Sequence, residues 1–238
     1  MMALYDYFAN RKKNPMGSWV RRKQAEKLAG LAERHVQKPG TILEIGPGDG
    51  YFAERCLQAG YTYTGVDANS ALIRTLREKG VRARSAVVPP IPLEDRSMDA
   101  CCLFHVLEHM AHRIEAEELL DEINRVLIEG GRLFVACPNH YSWGRDFFNI
   151  DYSHNFVTTP RRVRQLISDR GFRMRETHFY AGHVFGPLRY LILALNRMLY
   201  WKTLNRVVRS DVYYKGFVTF LESFVMIAQK DDSTGSSQ

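Results

Sequence analysis

A strand pattern, a glycine-rich loop and a helix pattern follow one another early in the chain, and this unit limits the fold more than any other segment. The predicted strand is Thr41–Ile45, the helix begins at Tyr51, and the loop between them carries Gly46, Gly48 and Gly50. Glycines lack a Cβ and let a ligand approach the backbone, while the start of a helix offers free N–H groups. In open α/β sheets, ligands bind in the crevice at this end of the strands. The unit therefore predicts an α/β fold with a ligand site at the loop.

Predicted strands and helices keep alternating after the loop, which indicates a mostly parallel sheet with helices on both faces. The predicted strands lie at about 41–45, 61–66, 81–88, 99–104, 132–137, 172–179 and 217–228, and the predicted helices at about 18–37, 51–59, 70–79, 119–127 and 160–170. Residues 139–159 are rich in aromatic side chains and show little periodicity. No internal repeat is visible.

Composition and charge exclude several classes of protein. Hydrophobic residues make up 45% and charged residues 25%, which excludes wholesale disorder, a collagen-like fibre and a coiled coil. No apolar run approaches the ~20 residues that cross a bilayer, and residues 1–15 lack the apolar stretch of a signal peptide. The four cysteines are scattered and form no C-x-x-C pair, which predicts reduced thiols and a cytoplasmic protein. The net charge of +7 fits an anionic partner, either nucleic acid, a phosphorylated substrate or an acidic membrane surface.

The loop and the next strand fit two classes of ligand. Asp67 ends that strand about twenty residues after the loop, where a carboxylate can accept hydrogen bonds from both ribose hydroxyls of an adenosine. Proteins that bind dinucleotides require G-x-G-x-x-G, and the third glycine of that pattern falls at Tyr51 in this chain. The dinucleotide pattern fails by one residue.

The run from Ile42 to Gly50 instead resembles motif I of the class I S-adenosylmethionine-dependent methyltransferases, whose consensus is close to V-L-D/E-x-G-x-G-x-G. Five further segments resemble other parts of that family, in the family's order. They are Gly65–Asp67 (the ribose-binding strand end), Pro92–Asp99 (the loop before the fourth strand), Phe104–His109 (the "HVLEH" turn of the small-molecule branch), Leu120–Gly131 (the helix and glycine pair before the fifth strand) and His154–Phe172 (the segment before the sixth strand). The resemblance covers about residues 40–180.

The resemblance implies a Rossmann-like class I methyltransferase fold: an α/β domain with a seven-stranded, mostly parallel sheet whose last strand is antiparallel and paired as a hairpin. The whole of 1–230 is then one methyltransferase domain, in which 1–38 forms an N-terminal helical cap and 183–216 a helical insertion. Residues 231–238 have the composition of a disordered tail.

The resemblance also implies which residues hold S-adenosyl-L-methionine. Glu44 would anchor the methionine ammonium, and Gly46 and Gly48 would line the methionine and ribose. Asp67 and Ala68 would lie at the ribose. Many relatives carry an acidic residue after the third strand that pairs with the adenine amine, whereas this chain has Ala86–Pro89 there. Three further residues complete the implied set: Val88 at the adenine, and Phe104 and His105 beside the sulfonium.

Four residues near the implied methyl-transfer crevice carry polar chemistry. His105, Glu108 and His109 have i, i+3, i+4 spacing, which puts them on one face of a helix, and His154 is the best candidate to join them from downstream. Three interpretations stay open. The residues only orient the turn, or a histidine (His105, His109 or His154) acts as general base, or the four hold a divalent metal that lowers the pKa of an acceptor hydroxyl. A metal is not the expected outcome.

The family resemblance implies methyl transfer to a non-protein acceptor, with a hydroxyl of a sugar or glycan, a lipid-linked molecule or a quinone-like phenol as the preferred class. Two alternatives remain. One is methylation of RNA or another nucleic acid, which the net charge suggests. The chain carries no D/N-P-P-Y/F motif and no visible RNA-binding module, and both observations argue against this alternative. The other is a non-catalytic scaffold that keeps the fold, against which the intact Glu44, Gly46, Gly48 and Asp67 argue.

The insertion is the least generic segment. From Val184 to Lys202 it is apolar and aromatic but is interrupted by Arg189 and Arg197, so it does not span a membrane. Burial within the protein or in a homodimer, a lid over the acceptor site, and a helix lying on an anionic membrane surface all fit this composition. A peripheral position at the membrane would follow from the last.

Overall fold

The computed structural model describes residues 15–199 and 211–231. The rest of the predicted cap (1–14), part of the insertion (200–210) and the predicted tail after Asp231 lie outside the described residues. The strands are β1 Thr41–Ile45, β2 Thr62–Asp67, β3 Ala83–Ser85, β4 Met98–Phe104, β5 Leu127–Pro138, β6 Phe172–Ala181, β7 Val184–Phe185 and β8 Glu222–Lys230. The helices are α1 Pro15–His35, α2 Tyr51–Gln58, α3 Ser70–Glu78, α4 Arg113–Val126, α5 His140–Trp143, α6 Asp146–Asn149, α7 Pro160–Asp169, α8 Leu188–Leu199 and α9 Asp211–Thr219, and a 3-10 turn spans Leu107–His109.

Within the described ranges the strands form one eight-stranded sheet in the order β3-β2-β1-β4-β5-β8-β6-β7. The five strands β3, β2, β1, β4 and β5 run parallel to one another, and β8 runs antiparallel to both β5 and β6, between which it lies. The α/β, Rossmann-like class predicted from the sequence is confirmed. Two details were wrong. The sheet has an eighth strand, because Val184–Phe185 of the insertion pairs with the end of β6, and β8 is joined to β6 through α8 and α9 rather than by a hairpin.

Helices cover both faces of the sheet because neighbouring residues of each central strand point to opposite sides. Ile42 packs in the layer formed by α1, α2 and α3, whereas Leu43 packs in the layer formed by α4 and α7. Both side chains are fully buried. Because β1, β2 and β4 are parallel neighbours between these two layers, their carboxyl ends lie at the same edge of the sheet.

Local pattern misplaced two element boundaries. The predicted strand 217–228 begins only at Glu222, because Phe217 and Val218 lie in α9 and pack with Leu221 in a separate apolar cluster against Trp143. A short apolar run fits a buried helix as well as a strand, and tertiary packing decides between them. The predicted strand 81–88 shrinks to Ala83–Ser85.

Candidate functional site

The glycine loop connects β1 to α2 at the carboxyl edge of the sheet. All three loop glycines have positive φ, with 71° at Gly46 and 53° at Gly48, a region that residues with a Cβ rarely adopt. At Gly46 a Cβ would also lie 2.7 Å from Val106 Cγ2, whereas at Gly48 no atom of residues 15–199 or 211–231 would lie within 4 Å of it. The Gly46 N–H donates to Val66 O at 2.9 Å, which fixes the loop against β2. The loop thus presents bare backbone to an open crevice, as a bound methionine and ribose would require.

Glu44 lies on β1 just before the loop and is 3% exposed. Its carboxyl accepts a 2.5 Å hydrogen bond from Tyr63 Oη on β2. Burial raises the pKa of Glu44 to about 8, and the neighbouring Asp67 adds to the rise while the bond from Tyr63 opposes it. Near neutral pH the side chain is therefore largely a neutral carboxylic acid, which a cationic group brought close to it would ionise. Tyr63 was not found from the sequence, because its contact depends on strand register.

Asp67 ends β2 next to the loop. Its Oδ1 accepts a 2.8 Å hydrogen bond from the Asn69 N–H, and Asn69 in turn caps α3 through Ala71 and Leu72. Burial raises the pKa of Asp67, and the Asn69 N–H partly offsets this effect. Ala68 is half-buried beside it.

Val88 follows β3 at the same edge and is half-buried against the core of the α4 and α7 layer. Its neighbour Val87 is 60% exposed. The Ala86 N–H donates to Asp67 O at 3.0 Å, so the segment predicted to lie at the adenine is tied to the segment predicted to lie at the ribose.

Phe104 is the last residue of β4, and His105 follows it directly. The Phe104 ring meets Phe52 edge to face with 4.9 Å between centroids, which forms an apolar wall behind the loop. His105 has φ of 58°, uncommon for a residue other than glycine and a mark of positions that the surrounding structure overdetermines. Its N–H donates to Ala136 O at 2.9 Å.

The His105 imidazole is held at both nitrogens. Nδ1 lies 3.1 Å from Glu108 Oε1, and Nε2 lies 3.1 Å from Tyr180 Oη on β6. Burial by itself would raise the pKa of Glu108, but the hydrogen bond with His105 and the nearby imidazoles outweigh it, so the pKa lies below the ordinary value. Glu108 is therefore a carboxylate, His105 Nδ1–H donates to it, and Nε2 is left with its lone pair, which accepts from Tyr180.

The spacing of His105, Glu108 and His109 predicted one helical face, and this geometry was wrong. Only residues 107–109 are helical, as a single 3-10 turn, and His105 precedes it in a left-handed conformation. The His105–Glu108 contact forms nevertheless, because the left-handed residue turns the chain back on itself. Tyr180 was missed, since sheet order alone brings β6 to this place.

His109 and His154 face each other across the site, with ring centroids 4.8 Å apart. The loop carrying His154 is held to the turn by two bonds to Glu108 O, from the backbone N–H groups of Asn155 and Phe156. One ligand-capable atom from each of Glu108, His109 and His154 lies within 4.8 Å of the others. Burial lowers the pKa of His154 and favours the neutral imidazole. The structure thus brings His154 to the turn, as the sequence predicted.

Helix α8 leaves its apolar side chains outside the core, since none of its described residues is buried. Leu188, Leu191, Leu195 and Met198 recur at helical spacing and are 42–59% exposed. Arg189 anchors the start of the helix through an ion pair with Glu222 at 2.9 Å, in which both side chains are largely buried. Burial of this part of the insertion within the monomer was therefore wrong. In the described ranges no helix has both the length and the hydropathy to span a membrane.

The sheet order and the glycine loop define a Rossmann-like α/β protein. Residues 43–135 match the family model described as "Methyltransferase domain". This part of the chain is thus similar to methyltransferase domains, in line with the resemblance to class I S-adenosylmethionine-dependent methyltransferases that its motifs indicated.

Curated relatives with methyltransferase names are similar to parts of the chain. Over 140 residues the chain is 29% identical to a protein of Mycolicibacterium smegmatis named "Probable S-adenosylmethionine-dependent methyltransferase", covering 57% of this chain and 53% of that protein. It is 27% identical over 165 residues to the ubiquinone biosynthesis O-methyltransferase of Paramagnetospirillum magneticum, covering 62% and 64% of the two chains. The chain thus spans between half and two thirds of the length of these two relatives.

The fold also matches the crystal structure of a SAM-dependent methyltransferase from Methanosarcina mazei. The TM-score is 0.62 at 17% identity, over 84% of this chain and 97% of that one. At this identity the match concerns the fold alone.

Proposed function

We propose that the protein transfers a methyl group from S-adenosyl-L-methionine to a hydroxyl of a non-protein acceptor. The observation that carries this proposal is the His105–Glu108 pair at the end of β4, which offers a general base beside the glycine loop. When bound, S-adenosyl-L-methionine supplies a methyl group already activated on a sulfonium, which passes to the acceptor oxygen as the carbon–sulfur bond breaks and its electron pair stays on sulfur. The protein is left with alignment and proton removal.

The cofactor-side residues suit their implied roles. Glu44 carries the charge that complements an ammonium, and its ionisation is induced by that ammonium because the free carboxyl has a pKa of about 8. Asp67 offers carboxylate oxygens at the ribose position, and Gly46 and Gly48 leave room for the ligand. Val88 packs at the adenine position, where apolar contact replaces the acidic residue of many relatives.

His105 removes the acceptor proton. Its Nε2 lone pair accepts from Tyr180 in the free protein, and the acceptor hydroxyl takes the place of Tyr180 as donor. As the oxygen attacks the methyl carbon, the proton moves to Nε2, and the resulting imidazolium is stabilised by Glu108 at Nδ1. His109 and His154 lie on the other side of Glu108 and are assigned no proton transfer.

The acceptor class is a sugar, glycan, lipid-linked or quinone-like hydroxyl. The relative named as an O-methyltransferase of ubiquinone biosynthesis supports methylation of oxygen, and the outward apolar face of α8 suits an acceptor with a hydrophobic part. A labelled-methyl assay against fractionated cell extract tests this: label in glycan, lipid or quinone supports it. Label in RNA would support the nucleic-acid alternative, and absence of both transfer and cofactor binding would support a scaffold.

Replacing Asp67→Ala should lower the affinity for S-adenosyl-L-methionine at least ~tenfold, because each hydrogen bond to a charged group contributes roughly 1.5–3 kcal/mol. Calorimetric titration measures this. Asp67→Asn keeps an oxygen for the Asn69 N–H and checks that the effect does not come from the α3 cap. Asp95→Ala, at a 72% exposed carboxylate paired with Arg125, should leave affinity unchanged. Unchanged affinity in folded Asp67→Ala would show that the cofactor site lies elsewhere, and binding of NAD would restore the dinucleotide alternative.

We also propose that α8 rests on an anionic lipid surface. Its exposed leucines and Met198 lie on one face with Arg197 nearby, and the strand before the insertion carries Tyr180, which contacts His105. The pair Leu191→Ser and Leu195→Ser should weaken binding to vesicles with anionic headgroups at least ~tenfold, since burying one leucine contributes about 1.5–3 kcal/mol. Vesicle co-sedimentation measures it, with exposed Leu57→Ser on α2 as the matched control. Absence of vesicle binding with a concentration-dependent dimer that the pair disrupts would assign the face to a second copy instead.

A further inference from the structure

We propose that Glu108, His109 and His154 hold a divalent first-row transition-metal ion. One ligand-capable atom of each lies within 4.8 Å of the other two. Ligand atoms of a tetrahedral ion, each at 2.0–2.2 Å from the metal, are about 3.3–3.6 Å apart. The three side chains therefore reach ligand distance through shifts of an ångström or less, without rearrangement of the loop.

The other ring nitrogen of each histidine is already occupied, as in metal sites generally. His154 Nδ1–H donates to Phe147 O at 2.7 Å. His109 lies with Nδ1 2.7 Å from Ser153 Oγ, and that hydroxyl donates to Asp151 Oδ1 at 2.7 Å. With both Nδ1 atoms protonated, each Nε2 carries the lone pair that a metal requires.

Glu108 supplies an independent indication. The residue is 1% exposed, and its Oε1 is bound to His105 while its Oε2, fully buried, has no hydrogen-bond partner among the described residues. A buried carboxylate oxygen without a donor is costly. A cation between Oε2 and the two histidines removes that cost, whereas the general-base role of His105 uses only Oε1.

The donor set determines the class of ion. Two imidazoles and one carboxylate suit Zn²⁺, Co²⁺ or Fe²⁺ better than Mg²⁺ or Ca²⁺, which prefer oxygen ligands. Three protein ligands also leave coordination positions open, as in catalytic rather than structural sites. This step rests on the proposed function: oxygens of the acceptor would occupy the open positions, and the ion would lower the pKa of the acceptor hydroxyl next to His105. A metal was not expected from the sequence, because the sequence cannot show that one carboxylate oxygen of Glu108 lacks a hydrogen-bond partner in the described part of the chain.

Binding of Co²⁺ tests the site without any methyl donor. The full-length protein, stripped with a chelator, is titrated with Co²⁺ while its visible d–d absorption and its stoichiometry after dialysis are followed. We expect one equivalent, displaced by Zn²⁺ and not by Mg²⁺. His109→Gln and His154→Gln should each weaken binding at least ~10²-fold, and Ser153→Ala, which touches the metal only through His109, ~10–100-fold. His178→Gln, whose histidine pairs with Glu176 outside the cluster, should bind as the parent does.

Absence of Co²⁺ binding in the parent would overturn the site, as would equal binding by His109→Gln and His154→Gln. Circular dichroism of the metal-free variants checks the fold, and Ser153→Ala keeps the test decisive if a ligand variant does not fold. Methyl transfer is then measured with and without chelator. Chelator-insensitive transfer would overturn the acceptor role of the metal while leaving both the ion site and the methyltransferase proposal standing. If the protein binds one Co²⁺ but methylates no acceptor, the metal site is supported and only the proposed function is contradicted.

Discussion

His105→Asn should methylate its acceptor ~10²–10⁴-fold more slowly than the parent, the range that a positioned general base contributes. Asparagine tolerates the left-handed backbone found at this residue, so the fold is preserved while the Nε2 lone pair is lost. Steady-state transfer of labelled methyl measures the rate. Affinity for S-adenosyl-L-methionine should stay within a fewfold of the parent value, because in the proposed complex His105 would contribute only packing to the cofactor.

A second variant separates proton removal from simple positioning. His105→Gly suits the same backbone conformation and opens a space of the size of an imidazole. Added imidazole should restore part of the transfer rate in His105→Gly and leave His178→Gln unaffected. A His105→Asn variant that retains more than about a tenth of the parental rate, or a glycine variant that imidazole does not rescue, would exclude His105 as the base.

Glu44→Gln should become more stable relative to the parent as the pH rises, by up to about 5 kcal/mol. The carboxyl has its ordinary value of 4.5 when the chain is unfolded and a pKa of about 8 when folded. Below pH 4.5 the carboxyl is protonated in both the folded and the unfolded chain, so its raised pKa does not lower the free energy of unfolding. As the pH rises from 4.5 to about 8, only the unfolded state loses its proton, so the free energy of unfolding of the parent falls across this window and levels off above it. Glutamine does not ionise and lacks this contribution.

Urea unfolding of the two proteins without cofactor, at intervals between pH 5 and 8.5, gives the difference directly. Glu54→Gln, at a half-buried position on α2 whose side chain is 42% exposed, serves as the control and should follow the parent at every pH. A constant difference between Glu44→Gln and the parent would show that the Glu44 carboxyl is already ionised at neutral pH, which would remove the argument for ligand-induced ionisation.

The sequence predicts the parts of the molecule that local pattern controls. The strand, glycine loop and helix around Gly46 and Gly48, and the placement of Glu44 and Asp67 at neighbouring strand ends, follow from periodicity and from the geometry of parallel sheets. Contacts that depend on sheet order are different. Tyr180 reaches His105 only because β8 lies between β5 and β6, and no pattern within β6 encodes that position.

Two other features needed coordinates for the same reason. The chemistry-bearing residues of the turn were identifiable from Phe104–His109, but the left-handed backbone of His105 was not, because histidine has no strong preference for it. The hydroxyl of Ser153 and the carboxylate of Asp151 support His109 through a turn that looks like any polar loop in the sequence. The apolar residues of α8 can be read from the sequence, but their exposure cannot, because it depends on how the rest of the chain packs.

Glu108 has only one negative charge, although His105 draws on one of its oxygens and the proposed ion on the other. The imidazolium that forms during transfer and the bound cation therefore compete for the same charge, so substitutions on the two sides of this carboxylate are energetically coupled and their effects do not add. A cation drawing electron density from Oε2 would weaken the support that Oε1 gives to a protonated His105, and would so make His105 a weaker acceptor for the proton of the hydroxyl. The choice of ion would then affect how basic His105 is. Glu108 would in this way influence both the proposed metal site and the removal of the acceptor proton.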